Sequence, residues 1–142
     1  MRRLVLALVL ASCGKPPAPR PTPAQLAADS VADLAGRWVA NDEMDWGYSM
    51  TIEPTGEIAV WIDRGKMGRC EQTGTMLAQG KRTFGVTYTR GNCNPQAVGV
   101  PLAMTVTSFT GEHLTVEVAD QSRTYQRGDD ERHGKLPTIQ LQ

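Results

Sequence analysis

The chain is predicted to be all-β: a small eight-stranded antiparallel up-and-down barrel preceded by a short helix. Three observations predict it. From Gly36 to Arg127 apolar residues recur at every second position in short runs, the period of strands that bury one face. Eight such runs follow one another with connections too short for parallel crossovers, so neighbours pair antiparallel. A sheet of successive one-faced strands loses its free edges only by closing on itself. A two-sheet sandwich is the rival arrangement.

The chain begins with Arg2 and Arg3, then the apolar run Leu4 to Leu10, too short to span a bilayer but suited to a secretory signal. Leu10-Ala11-Ser12-Cys13 follows and resembles the lipobox of bacterial lipoproteins. The resemblance implies that residues 1–12 are a signal peptide, that Cys13 becomes the acylated amino terminus, and that the protein sits in the cell envelope on a lipid anchor. Two or three acyl chains hold far better than one, at about 0.8 kcal/mol per buried methylene. Gly14 is not acidic, which in enterobacterial lipoproteins goes with the outer membrane.

Residues 13–33 would carry the lipidated cysteine, a tether and the helix. Lys15 to Ala24 holds five prolines, and such a run favours extended polyproline II, about 3.1 Å per residue or ~30 Å in all. Thr22-Pro23-Ala24-Gln25 has a capping residue, proline at the first helical position and Gln at the third, so a helix over 23–34 is expected, with Ser30 as a second cap. Residues 34–127 form the barrel domain. Its strands are Gly36 to Ala40, Trp46 to Glu53, a run around Ile58, Val60 and Ile62, Arg69 to Leu77, then runs around Phe84, Val86 and Tyr88, Leu102 to Val106, Leu114 to Val118, and Ser122 to Arg127. Residues 128–142, with Asp129 to His133 at their head, read as a polar, disordered tail.

Gly36-Arg37-Trp38 at the start of the first strand resembles the Gly-X-Trp signature of lipocalins, and Arg127 resembles the arginine that packs on that tryptophan from the last strand. The resemblance implies a lipocalin-like barrel with Gly36, Trp38 and Arg127 as a structural signature. Only 94 residues run from Leu34 to Arg127, so the barrel is shallower than a full lipocalin. Asp33-Leu34-Ala35-Gly36-Arg37-Trp38-Val39 also resembles the start of small periplasmic metalloprotease inhibitors, which are barrels of about this size.

With Cys13 taken by lipid, Cys70 and Cys93 remain as a pair, and an oxidising envelope makes a disulfide the expectation. Those thiols with only His113 and His133 make a poor metal set. Asp42, Glu43 and Asp45 lack the spacing of a calcium loop. Gly74 to Lys81 has five residues between its glycines where a phosphate loop needs four. No nucleophile elbow or paired histidines occur in the sequence, so neither catalysis nor a cofactor is expected. Without Arg2 and Arg3, 13 basic residues face 15 acidic ones, a net charge of about −2 that argues against a nucleic-acid partner.

Two binding roles remain. The inward side chains include Trp38, Trp46, Tyr48, Met50, Phe84, Tyr88, Met104 and Tyr125. This many large groups in an eight-stranded barrel predict a mostly filled core. That favours a protein-facing module, an inhibitor or assembly partner, acting through the loop rim with Trp46, Arg64, Met67, Arg69, Arg90 and Asn94. The alternative is a carrier of a small apolar or amphipathic ligand inside the barrel.

Overall fold

The computed structural model describes residues 23–128. The signal segment, Cys13, most of the tether and the tail from Asp129 onward lie outside the described residues. Eight strands form one closed barrel in sequence order: β1 (Gly36–Asn41), β2 (Gly47–Ile52), β3 (Glu57–Asp63), β4 (Arg69–Gly80), β5 (Thr83–Gly91), β6 (Leu102–Phe109), β7 (His113–Val118) and β8 (Gln121–Arg127). Every neighbouring pair is antiparallel. The seam is β1 against β8, through Trp38 opposite Arg127 and Val39 opposite Gln126. No free edge is left, which answers the sandwich alternative.

The two ends differ in how the strands are joined. At the lower end the connections are tight. The β2–β3 turn closes through Gly56 N–H to the Glu53 carbonyl at 2.9 Å, and the buried Gly56 carbonyl accepts Met76 N–H at 2.7 Å, tying that turn to β4. Gly56 has φ +99°, and a Cβ there would press on the Met76 carbonyl at 2.8 Å, so the close approach requires glycine. At the upper end the β3–β4 loop carries a 3-10 turn, Gly65–Met67, and the long β5–β6 loop carries another, Pro95–Ala97.

The helix expected over 23–34 is a single 3-10 turn, Ala32–Leu34. Tertiary bonds take the place of helical ones. Gln25 Oε1 accepts Phe109 N–H at 2.9 Å, Leu26 N–H donates to the Phe109 carbonyl at 2.7 Å, and Arg82 Nη2 donates to the Leu26 carbonyl at 3.0 Å. These draw residues 25 and 26 across the lower mouth as a strap, with Ala28 fully buried. Ser30 does act as a cap. Its Oγ accepts Asp33 N–H at 3.2 Å while the Asp33 carboxylate accepts the Ser30 and Asp29 N–H groups at 3.0 Å, a reciprocal pairing. Those Ser30 and Asp29 backbone bonds hold the Asp33 carboxyl below its usual range.

Alternation sets which residues face inward as anticipated up to Val106. There the β6–β7 register shifts between Val106 and Ser108, a bulge that turns Phe109 inward where strict alternation would place Ser108. Phe109 is 3% exposed. It meets Trp38 edge to face, with ring centroids 5.9 Å apart, and the two rings with Leu34, Phe84 and Leu114 form the lower core.

Candidate functional site

Above that core the interior is incompletely filled. A cavity of about 250 Å3 opens toward the upper loops, walled by Met50, Val60, Val86, Met104 and Val116 with Ala119 at the β7–β8 turn. The mostly filled core expected from the sequence is met in the lower half and gives way to this cavity in the upper. The large rings are unevenly spread: Trp38, Phe84 and Phe109 gather below, Trp46 stands only partly buried at the upper rim, and Tyr48 is tied up at the mouth.

The polar residues of the lining are Gln72, Gln121, Arg123, Tyr48, Tyr88 and Tyr125. Gln72 projects from β4, opposite Val60 on β3 and Gly91 on β5, and its Oε1 is buried without a hydrogen-bond partner among the described residues. Tyr88 and Tyr125 also line the space. Burial pushes the Tyr88 hydroxyl up to about 12, with Tyr125 adding to the effect. Tyr125 is raised chiefly by burial, against the opposing hydrogen bond and charge of Arg123. Both phenols stay neutral near pH 7.

The mouth is organised by three side chains. Arg123 lies over the Tyr48 ring, its guanidinium carbon 3.5 Å from the centroid, and the Tyr48 hydroxyl donates to Asp42 Oδ2 at 2.9 Å. Asp42 Oδ1 accepts the N–H groups of Met44 and Trp46, each at 2.9 Å. Desolvation opposes its charge, yet the bonds from Trp46, Tyr48 and Met44 and the charge of Arg123 outweigh that and hold the carboxyl below its usual range. Asp42 thus serves as the organiser of the β1–β2 loop. Among the described residues no group of three His, Cys, Asp or Glu side chains is placed to hold a metal ion. The β7–β8 turn holds Ala119 at φ 49° and Asp120 at φ 65°, the left-handed pair of a two-residue hairpin built here without glycine.

The disulfide joins Cys70 to Cys93, with Cα atoms 4.9 Å apart. It fastens the β5–β6 loop to the top of β4, and Asn92 adds two bonds there, its Oδ1 accepting Glu71 N–H at 2.9 Å and its N–H reaching the Glu71 carbonyl at 3.0 Å. At the other end, the Arg127 guanidinium lies 4.2 Å from the Trp38 ring centroid. Its Nε donates to the Gly111 carbonyl at 2.7 Å and its Nη1 to the Ala35 carbonyl at 2.9 Å. The Trp38 indole N–H bonds the Leu34 carbonyl at 2.9 Å. Gly36, at φ +135°, leaves the place where a Cβ would strike Arg127.

The six rim residues singled out from the sequence all stand near the upper loops, and none lines the cavity. Trp46 packs partly against the core. Arg64 precedes the Gly65–Met67 turn and Met67 is 69% exposed. Arg69 pairs with Asp63 at 3.2 Å, Arg90 is exposed near the end of β5, and Asn94 begins the Pro95–Ala97 turn. The residues that sequence reasoning missed are Gln72 and Arg123. The signal was available for Arg123, two positions before Tyr125 and four before Arg127 on a strand of period two. Comparison with protein-family models, curated proteins and solved structures finds no significant match to this chain.

Proposed function

We propose that this protein is a lipid-anchored envelope protein whose lipocalin-like barrel carries one small, mainly apolar ligand in its upper half. The cavity carries the reading. It is concave, walled by aliphatic side chains, and holds polar groups at fixed places, the make-up of a small-molecule pocket. A dry cavity of ~150 Å3 takes a benzene ring, so about 250 Å3 suits a ligand of about ten non-hydrogen atoms. The stack of Arg127 on Trp38 with Gly36 beneath it supports a lipocalin-like barrel. The lipobox-like Leu10-Ala11-Ser12-Cys13 supports an anchor. Because the strap crosses the lower end, a tether from Cys13 would approach from below and leave the mouth facing away from the membrane.

A protein-facing rim is the second reading, favoured by Met44 and Met67, which are 66% and 69% exposed on neighbouring upper loops. The test is native mass spectrometry of the full chain, purified gently from envelopes of cells fed a labelled fatty acid. A non-covalent adduct that Val60→Phe expels is the expected result, with acyl label that Cys13→Ala abolishes. Protein free of any adduct defeats the carrier role; protein free of acyl label defeats the anchor.

A further inference from the structure

We propose that the cavity selects an uncharged ligand bearing one hydroxyl or amide N–H, which docks on the side-chain amide of Gln72. The inference rests on the small-ligand reading above and goes on to name the ligand's chemistry. Gln72 is 9% exposed, and its Oε1 is sealed from solvent without a partner among the described residues. Nothing in the β4 ladder asks for an amide here. Val60 opposite it, and the other inward positions of β4, Cys70, Gly74 and Met76, carry no amide, hydroxyl or charge. A valine or leucine would continue that wall at no desolvation cost, whereas a buried amide oxygen left unbonded is unfavourable.

The backbone around Gln72 is fixed tightly. The β4–β5 register shifts between Thr73 and Gly74, and glycines stand on both sides of this irregularity. A Cβ on Gly91 would press on the Glu71 carbonyl at 2.6 Å and the Gln72 Cα at 2.7 Å, and one on Gly74 would strike the Thr87 carbonyl. Only glycines let β5 come this close, so Gln72 projects from a strand held on that side by direct backbone contact. Tyr88, opposite Gly74, is a further polar residue of the lining, and its hydroxyl makes no hydrogen bond among the described residues.

The lining favours a neutral ligand over a charged one. Among the described residues no carboxylate lines the cavity, and the one cation in the lining, Arg123, is stacked on Tyr48 and within the field of Asp42. A ligand cation would find no counter-charge and an anion would compete with Asp42, so a neutral group has the advantage. A hydroxyl both donates and accepts, and so serves either face of the Gln72 amide. A site built to bond such a group discriminates against the analogue lacking it, because the protein's own buried polar atom is then left unpaired.

The experiment is calorimetric titration of the full chain carrying Cys13→Ala, which keeps acyl groups out of the assay. The probes are two matched pairs, 1-octanol with octane and 1-naphthol with naphthalene, plus octanoate. The hydroxylated member of at least one pair binds about tenfold more tightly than its hydrocarbon, the worth of one neutral hydrogen bond, and octanoate binds more weakly than octanol. Gln72→Leu abolishes that preference while hydrocarbon binding persists; Tyr88→Phe, which leaves Gln72 in place, retains it. Should Gln72→Leu fail to fold, the wild-type pairs alone decide. Equal binding within both pairs, or octanoate as tight as octanol, overturns the Gln72 assignment and leaves the carrier reading standing. If none of the probes binds, both fall.

Discussion

In the lower half of the barrel Leu34, Trp38, Ile52, Phe84 and Leu114 are each at most 1% exposed, under a strap that crosses the end. In the upper half the same strands enclose about 250 Å3 of space. Both halves obey one alternation, so alternation does not explain the difference. Side-chain volume and closure do. Below, the Trp38 and Phe109 rings meet edge to face in a core they share with Phe84, and Arg127 is spent on ring and carbonyls. Above, valines and methionines line the wall with Tyr48, Tyr88 and Tyr125 among them, and four loops surround the mouth. A closed half supplies the stability that lets the other remain open.

The largest effect that would break this contrast is on the closed half. Trp38→Ala removes a fully buried ring, orphans the Leu34 carbonyl and strips Arg127 of its stacking face. It should cost about 3–5 kcal/mol in urea unfolding, whereas Val86→Ala on the cavity wall, where space already exists, should cost about 1 kcal/mol. Equal losses would mean that the two halves are packed alike.

Next comes the staple at the upper end. The Cys70–Cys93 bridge spans 23 residues, and replacing both cysteines with serine should lower stability by about 3 kcal/mol through the freed unfolded chain. The far-ultraviolet spectrum should keep its β signature, because β4 pairs with β3 in unbroken register and with β5 on its other side without help from the bridge. Loss of the β spectrum would move the bridge from staple to requirement.

The third effect depends on pH. Tyr88 is raised from 10.0 to about 12, so between those values the unfolded chain gives up the Tyr88 proton while the fold keeps it. The unfolded state then binds fewer protons, and stability falls as pH rises across this window, by about 2–3 kcal/mol for this group. The contribution is whole below pH 10.0 and gone above about 12. Tyr88→Phe should flatten that part of the alkaline limb in melting curves taken from pH 9 upward. An unchanged limb would mean that Tyr88 is solvated and the cavity wet at its level.

Much of this was legible in the sequence because it rests on local period and spacing. The eight strands, their order and the Cys70–Cys93 pair follow from alternation, short turns and cysteine arithmetic. The helix over 23–34 failed because Pro23 and the alanines are local signals, while Gln25, Leu26 and Arg82 bond to distant partners that no window contains. Phe109 was hidden by a bulge at Thr107, which inverts the faces beyond Val106. The cavity was hidden because a list of large inward residues gives their number but not their height along the barrel. Gln72 escaped because β4 is polar on both faces around Glu71 to Thr75, and only closure shows which face is inside.

The smallest expected effect separates the rim from the cavity beneath it. Lys66 and Arg90 are exposed and form no ion pair among the described residues, unlike Arg69, which meets Asp63 at 3.2 Å with both side chains about one-third exposed. Even that pair belongs to the class of surface salt bridges worth about 0–1 kcal/mol. Reversing Lys66 and Arg90 to glutamate together should therefore shift stability by no more than about 0.5 kcal/mol. Neither residue lines the cavity, so affinity for a neutral probe such as 1-naphthol should also be unchanged in titration at two salt concentrations. A protein partner held by the rim would respond differently, since charges at a contact edge act on association and on its salt dependence. Loss of 1-naphthol binding in the double reversal would place the determinants of binding on the loops, and the upper half would then be one continuous site from rim to Gln72.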